Sequence, residues 1–159
     1  MKSIEYANLE DLSHFVNSCE AKLFAKQIRR EVTFPSNAIS PWNSKKITEI
    51  NEGLLSKISG SANIYAIFIS EKGTKYKLVY IGQTSPKYAR ERLRNHLIKK
   101  HKDTGAKLNK VTEHVKNGGK IKIAWISIHP VSMRHFVEAE LIKKHRKKLQ
   151  WNLHGKQKA

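Results

Sequence analysis

The 159-residue chain has one cysteine, Cys19. A lone thiol closes no internal disulfide, which excludes the small stapled scaffolds of secreted proteins and points to a reducing compartment. Long apolar runs are missing as well. No stretch approaches the ~20 apolar residues of a membrane span. Glu5, Glu10 and Asp11 interrupt the N-terminus where a secretory signal needs an apolar segment. The expectation is a cytoplasmic protein with no membrane segment. Acidic residues are scarce: 13 Asp and Glu stand against 31 Lys and Arg, a formal charge of +18 at pH 7. The imbalance is local. Residues 1–60 hold 8 basic and 7 acidic side chains, a net +1, whereas residues 61–159 hold 23 and 6, a net +17. A lysine-rich surface that aids solubility is the plain reading. A charge this concentrated favours a polyanion partner, whose counterions are released on binding, and so nucleic acid.

What is present is a strong and changing periodicity. Leu9, Leu12, Phe15, Val16, Cys19, Leu23 and Ile28 recur at helical spacing and predict an amphipathic helix over 9–31. Pro35 and Pro41 mark 33–43 as a loop. Ser44 is placed to cap a second helix carrying Ile47, Ile50, Leu54 and Ile58 on one face, which Gly60 ends. Residues 63–70 and 75–82 are β-rich runs joined by Glu71-Lys72-Gly73-Thr74, a hairpin signal. Ser85-Pro86 starts a helix running to about Lys100, and another spans about Ala106 to Gly118. Residues 120–128 alternate as a third strand, and Ser132 caps a last helix to about Lys148. A lysine-rich tail follows Asn152. The order β-β-α-α-β-α predicts an α+β domain over 61–159, a small three-stranded sheet with flanking helices, preceded by an N-terminal helical arm over 1–60.

Chemistry-bearing residues gather in the second part. The two hairpin strands carry Asn63-Ile64-Tyr65 and Tyr80-Ile81-Gly82. On the next helix Arg92 and His96, four residues apart, share one flank beside Leu93 and Leu97, while Arg90 and Arg94 lie on the other. Periodicity does not choose between the flanks. On the last helix Met133, Phe136, Val137 and Leu141 define an apolar stripe, and Glu140 falls within it. A lone carboxylate there is unfavourable unless a cation or metal neutralises it, although Lys144 at i+4 is an ordinary partner. Glu138 falls outside the stripe and reads as a solvent-facing partner of Arg134. His114, His129, His135, His145 and His154 show no Cys/His metal spacing.

This constellation resembles the GIY-YIG nuclease superfamily. The resemblance covers about residues 62–154 and rests on five positions in order: Tyr65, Tyr80, Arg92, Glu140 and Asn152. The chain departs from the pattern in three places. Asn63 stands for the first glycine, fourteen residues separate Tyr65 from Tyr80 where the family usually has fewer, and Gln83 stands where several members carry Lys. The family's Arg-Leu pair with a following His favours Arg92. Its metal-binding Glu precedes a terminal Asn by twelve residues, which is the spacing of Glu140 to Asn152.

The resemblance implies an Mg²⁺-dependent endonuclease for double-stranded DNA, with Mn²⁺ as a substitute, closest in pattern to small type II restriction enzymes and phage DNA-degrading endonucleases. Tyr65, assisted by Tyr80 or His96, would activate water; Arg92 would stabilise the phosphorane; Glu140 would hold the metal; Asn152 would brace the site. Gln83, Arg90 and Arg94 are the expected DNA contacts on this domain. The N-terminal arm would read the target or pair a homodimer, with Asn37 and Trp42 of the loop against DNA, or else simply cover the sheet. A loosely specific phage-type or toxin nuclease of the same fold and a non-catalytic nucleic-acid-binding protein are the alternatives.

Overall fold

In the computed structural model, which describes residues 1–100 and 106–152, the first strand of the hairpin lies inside the sheet. Strand β2 (Ile64–Ser70) is buried along its whole length and pairs antiparallel with β3 (Lys77–Gln83) on one side and β4 (Lys120–Ile126) on the other. Its near-continuous apolar run reflects having both faces covered. A further strand, β1 (Arg30–Val32), pairs antiparallel with β4, so the sheet has four strands in the order β1-β4-β2-β3, not three.

Helix α1 (Leu9–Leu23) stops well short of residue 31. A single helical turn at Lys26–Ile28 comes next, and the chain then extends into β1. Three residues of strand carry little local signal. Pairing of Arg30 with Ile123 and of Val32 with Ile121 decides their state. The second predicted helix is two, α2 (Ser44–Ile50) and α3 (Glu52–Ile58), broken at Asn51. The buried Asn51 side chain accepts from Thr33 N at 2.9 Å and donates to Thr33 O at 2.8 Å, so it serves the loop after β1. Helices α4 (Ala89–Leu97), α5 (Ala106–Lys116) and α6 (Arg134–Lys144) complete the α+β fold. Among the described residues no helix is long and apolar enough to cross a membrane. The lysine-rich tail after Asn152 lies outside the described residues.

Two apolar layers flank the sheet. On one face Tyr65, Ile67, Ile69, Ile121 and Ile123 meet Ile47 of α2, Leu55 and Ile58 of α3, Leu93 and Leu97 of α4, and Val111 of α5. On the other, Ile64, Ala66, Phe68 and Ala124 meet Val16, Cys19 and Leu23 of α1 and Val137 and Leu141 of α6. The first sixty residues are therefore not a separate helical arm. They edge the sheet through β1 and help cover both of its faces.

Two local devices set the positions of the tyrosines and of the β3 edge. The register of the hairpin shifts by one residue: Ile67 pairs with Tyr80 but Phe68 pairs with Leu78, leaving Val79 as a bulge. Side chains alternate between faces along a strand, so Tyr80, opposite Ile67, lies on the face that holds Tyr65; the extra residue lets Val79 share that face before Leu78 returns to the other with Phe68. Asparagine side chains also act as surrogate peptide groups, each bracketing both backbone polar groups of one residue. Asn63 does so for Ile128, at 2.8 and 2.9 Å. Asn152 does so for Ile81, both bonds 2.9 Å, on the outer edge of β3. There it joins the bond from Trp151 N to Val79 O at 3.0 Å, and the edge is closed to other strands. Asn152→Ala should strand two Ile81 groups and lower stability by about 1–3 kcal/mol. Urea unfolding of the variant measures this directly, and an unchanged midpoint would refute the bracing role.

Candidate functional site

Tyr65 and Tyr80 stand side by side on the sheet, and α4 lays His96 over them. Ring centroids are 6.0 Å apart for Tyr65–Tyr80, 6.1 Å for Tyr65–His96 and 5.4 Å for Tyr80–His96. Leu93 and Leu97 bury the apolar side of α4 and thereby fix the flank from which Arg92 and His96 enter. Gly82 makes room for this. It pairs with Tyr65 across the hairpin, and a Cβ at that position would stand 2.5 Å from the Tyr65 Cζ and Oη atoms. The last residue of the Tyr80-Ile81-Gly82 triplet is thus needed for close approach of a ring to backbone.

Buried polar atoms nearly always have partners within the fold. Here the Tyr65 hydroxyl, Arg92 Nε and both His96 ring nitrogens are buried and make no hydrogen bond among the described residues. They are polar atoms held ready in a closed, low-dielectric space. Burial pushes the Tyr65 phenol well above its ordinary range and neighbouring Tyr80 adds to this, while the Arg92 charge opposes it. Burial also raises Tyr80, again against Arg92. His96 is driven down to about 3 by burial and by the Arg92 and Lys107 charges, so it is neutral at pH 7.

The buried imidazole has a consequence for stability. Between about pH 6.5 and pH 3 the unfolded chain protonates this histidine and the folded chain does not, so acidification through that window favours unfolding. His96→Gln should therefore lose less stability than the parent between pH 7 and pH 4 in paired denaturation curves. Parallel curves would show that His96 titrates normally.

The carboxylate at this site is Glu138, not Glu140. Burial raises the Glu138 pKa, countered by the Gln83 main-chain amide and the Arg92 charge. The charge of Glu138 is in turn felt by Tyr80. Glu140 instead lines a groove between α1 and α6, with Leu12, Val16 and Phe136. A single-stripe reading of α6 misses that this helix has two polar-facing duties. Val137 and Leu141 bury against the sheet, Phe136 and Glu140 turn toward α1, and Arg134 and Glu138, one turn apart, face the end of β3. The expected Arg134–Glu138 pair is absent among the described residues. Arg134 Nε donates to Gln83 Oε1 at 2.9 Å and its Nη1 to Val131 O at 3.1 Å.

Other expected contacts are occupied by the fold. Arg90 makes two parallel bonds to Glu52, at 2.8 and 2.9 Å, tying α4 to α3. Arg94 Nε reaches Thr48 Oγ1 of α2 at 3.2 Å, with Glu91 at 3.6 Å. Trp42 Nε1 donates to Ile98 O at 2.7 Å and its ring lies against Phe34, 5.6 Å between centroids, so it closes the end of α4. Trp42 is not free to enter a DNA groove as expected. Asn37 is exposed on the Ser36–Ala38 turn and is not brought to the cluster.

Lys107 is a member that periodicity has the means to reveal. It precedes Val111 by four residues on the stripe of Leu108, Val111 and Val115, and it is buried to 6% exposure. Its ammonium donates to Trp151 O and lies 5.4 Å from the centre of the Tyr80 ring. Burial, then Lys110, lowers its pKa. Five elements, β2, β3, α4, α5 and α6, thus converge two phenols, a neutral imidazole, a guanidinium, an ammonium and a carboxylate. No family model, curated protein or solved structure matches this chain.

Proposed function

We propose that this chain is a metal-dependent DNA endonuclease of the GIY-YIG type. The observation that carries the reading is the meeting of Tyr65, Tyr80, Arg92 and His96, with four buried polar atoms lacking partners, beside the half-buried Glu138 in a strongly basic chain. Such a set suits hydrolysis of a phosphodiester, where a water must be positioned and negative charge must be met as it develops.

Each residue has a distinct part. Tyr65 holds its proton at neutral pH, so its hydroxyl orients the attacking water through a lone pair instead of serving as a ready phenolate. His96 is neutral, and its unprotonated ring nitrogen is free to take the water's proton. A phosphate drawn to Arg92 offsets part of the positive field on the imidazole and makes it a better base. Arg92 offers its planar fork to the phosphoryl oxygens. Lys107 adds a second positive charge behind Tyr80 and anchors the Trp151–Asn152 segment to α5. One carboxylate, completed by water and substrate oxygens, is a donor set that Mg²⁺ accepts. Glu138 fits that role, and among the described residues no group of three or more His, Cys, Asp or Glu forms a closed metal cage. When bound, the ion would stabilise charge on the phosphate and the departing oxygen.

Incubation of purified chain with supercoiled plasmid tests the reading. Nicked or linear products with Mg²⁺ or Mn²⁺, and none with EDTA, are expected. Retardation of the plasmid without any cleavage would reduce the chain to a binding protein. One site per chain cuts one strand at a time, so double-strand cleavage of restriction type calls for two copies, and a homodimer is the simplest arrangement. Sedimentation of the chain with and without a duplex reports that stoichiometry.

A further inference from the structure

The opposite face of the sheet holds a cavity of about 490 Å³, between the end of α1, the β2–β3 hairpin and the segment after α6. Phe24 and Tyr76 give it flat apolar walls, and Lys77, Lys147 and Lys148 stand at it as exposed cations. Arg29 also lines it, half-buried. Its guanidinium lies on the Phe68 ring, 3.9 Å from the centroid, and one Nη donates to Phe24 O at 2.9 Å. Arg29 Nε is buried with no acceptor, and no carboxylate among the described residues pairs with the charge. Glu20, whose partner His145 lines the cavity, is committed to Lys144 and His145. A partly desolvated cation without a counter-ion is unfavourable on its own and gains most from an anion. Stacked as it is, the guanidinium keeps a planar edge suited to phosphate.

We propose that this cavity binds one nucleotide unit, its phosphate on Arg29, Lys77, Lys147 and Lys148 and its base against Phe24 and Tyr76. Aromatic walls beside a cationic rim are how single strands are held without sequence preference. The proposal rests on the nucleic-acid reading above and extends it to a second contact. One short segment connects the two places: Lys147, Lys148 and Gln150 line the cavity, while Trp151 and Asn152 are fastened to β3 beside Tyr80. Phe68 lies three residues along β2 from Tyr65, about 10 Å at ~3.3 Å per residue. A strand passing around the edge of β3 therefore touches both.

Binding in EDTA separates this contact from cleavage. The full chain is titrated against a labelled single-stranded twelve-nucleotide oligo-dT, and separately against thymidine 5′-monophosphate by calorimetry. The doubly exchanged Lys147→Ala/Lys148→Ala chain, altered at exposed positions, should bind oligo-dT about tenfold or more weakly and with a shallower salt dependence. Tyr76→Ala should weaken it with little change in salt slope. Lys45→Ala/Lys46→Ala removes equal charge from α2 and should have a much smaller effect. Loss of monophosphate binding in the same variants would make the cavity a mononucleotide site; loss for oligo-dT alone would make it a strand contact, and either supports it. Equal losses in the cavity and control pairs would overturn the proposal in favour of diffuse charge. If the parent chain binds no DNA at all, the nucleic-acid reading fails with it.

Discussion

Exchange of Glu138 for alanine should remove Mg²⁺-supported cleavage by about a thousandfold or more, on the scale of several kcal/mol for a metal that meets charge on the phosphate. Exchange of Glu140 should leave cleavage near the parent level. The two residues are close in the chain and apart in their surroundings: Glu138 shares a space with Arg92, Tyr80 and the Gln83 amide, and Glu140 borders α1. Glu138→Gln keeps the shape and removes the charge, so it should bind plasmid at least as well as the parent while failing to cut it. Band-shift and cleavage assays run on the same preparations separate these effects. Activity lost in the Glu140 variant and kept in the Glu138 variant would reverse the assignment and return it to the residue twelve positions before Asn152.

Arg92→Ala should slow cleavage by about a hundredfold or more with binding largely kept, the effect of losing one preorganised charge stabiliser. The matching measurement is Arg90→Ala. That guanidinium is held by Glu52 on the protein surface, so its loss should loosen the α3–α4 junction slightly and change cleavage little. Single-turnover rates at saturating DNA distinguish a lost chemical step from weaker binding. A larger defect in the Arg90 variant would mean that the outer flank of α4, not the tyrosine side, faces the phosphate.

The parts of this arrangement that are legible in the sequence are those written in local periodicity. Tyr65 and Tyr80 sit on strongly β-rich runs, and Leu93/Leu97 mark the buried side of α4, but which flank of that helix meets the tyrosines is decided by packing, which brings in His96 and not Arg90 or Arg94. The bracing expected of Asn152 is made through both backbone groups of Ile81. What stays hidden depends on partners distant in the chain. Arg30–Val32 becomes a strand because β4 lies beside it. The break at Asn51 serves Thr33, eighteen residues earlier. Glu138 is misplaced by periodicity because α6 touches three neighbours, and a helical wheel with one apolar stripe has room for one. Lys107 is legible by the same logic that singles out Glu140: a lysine on an apolar stripe is the same kind of anomaly as a glutamate on one.

The geometry of the site does not depend on how long the hairpin is, because the pairs Tyr65–Gly82 and Ile67–Tyr80 align the two tyrosines. These pairs lie on the site's side of both the bulge and the tip. Insertions or deletions around Glu71–Lys75 thus leave the tyrosines aligned, which lets this chain keep a span of fourteen residues between them. Removing Val79 is a different kind of change. Leu78 and Tyr80 would become neighbours in plain alternation, each still opposite its partner Phe68 or Ile67, and the layer that holds the tyrosines would lose one fully buried side chain. The hairpin tip is therefore open to grafted loops, and the bulge residue acts through its packing, not through the frame of the strand.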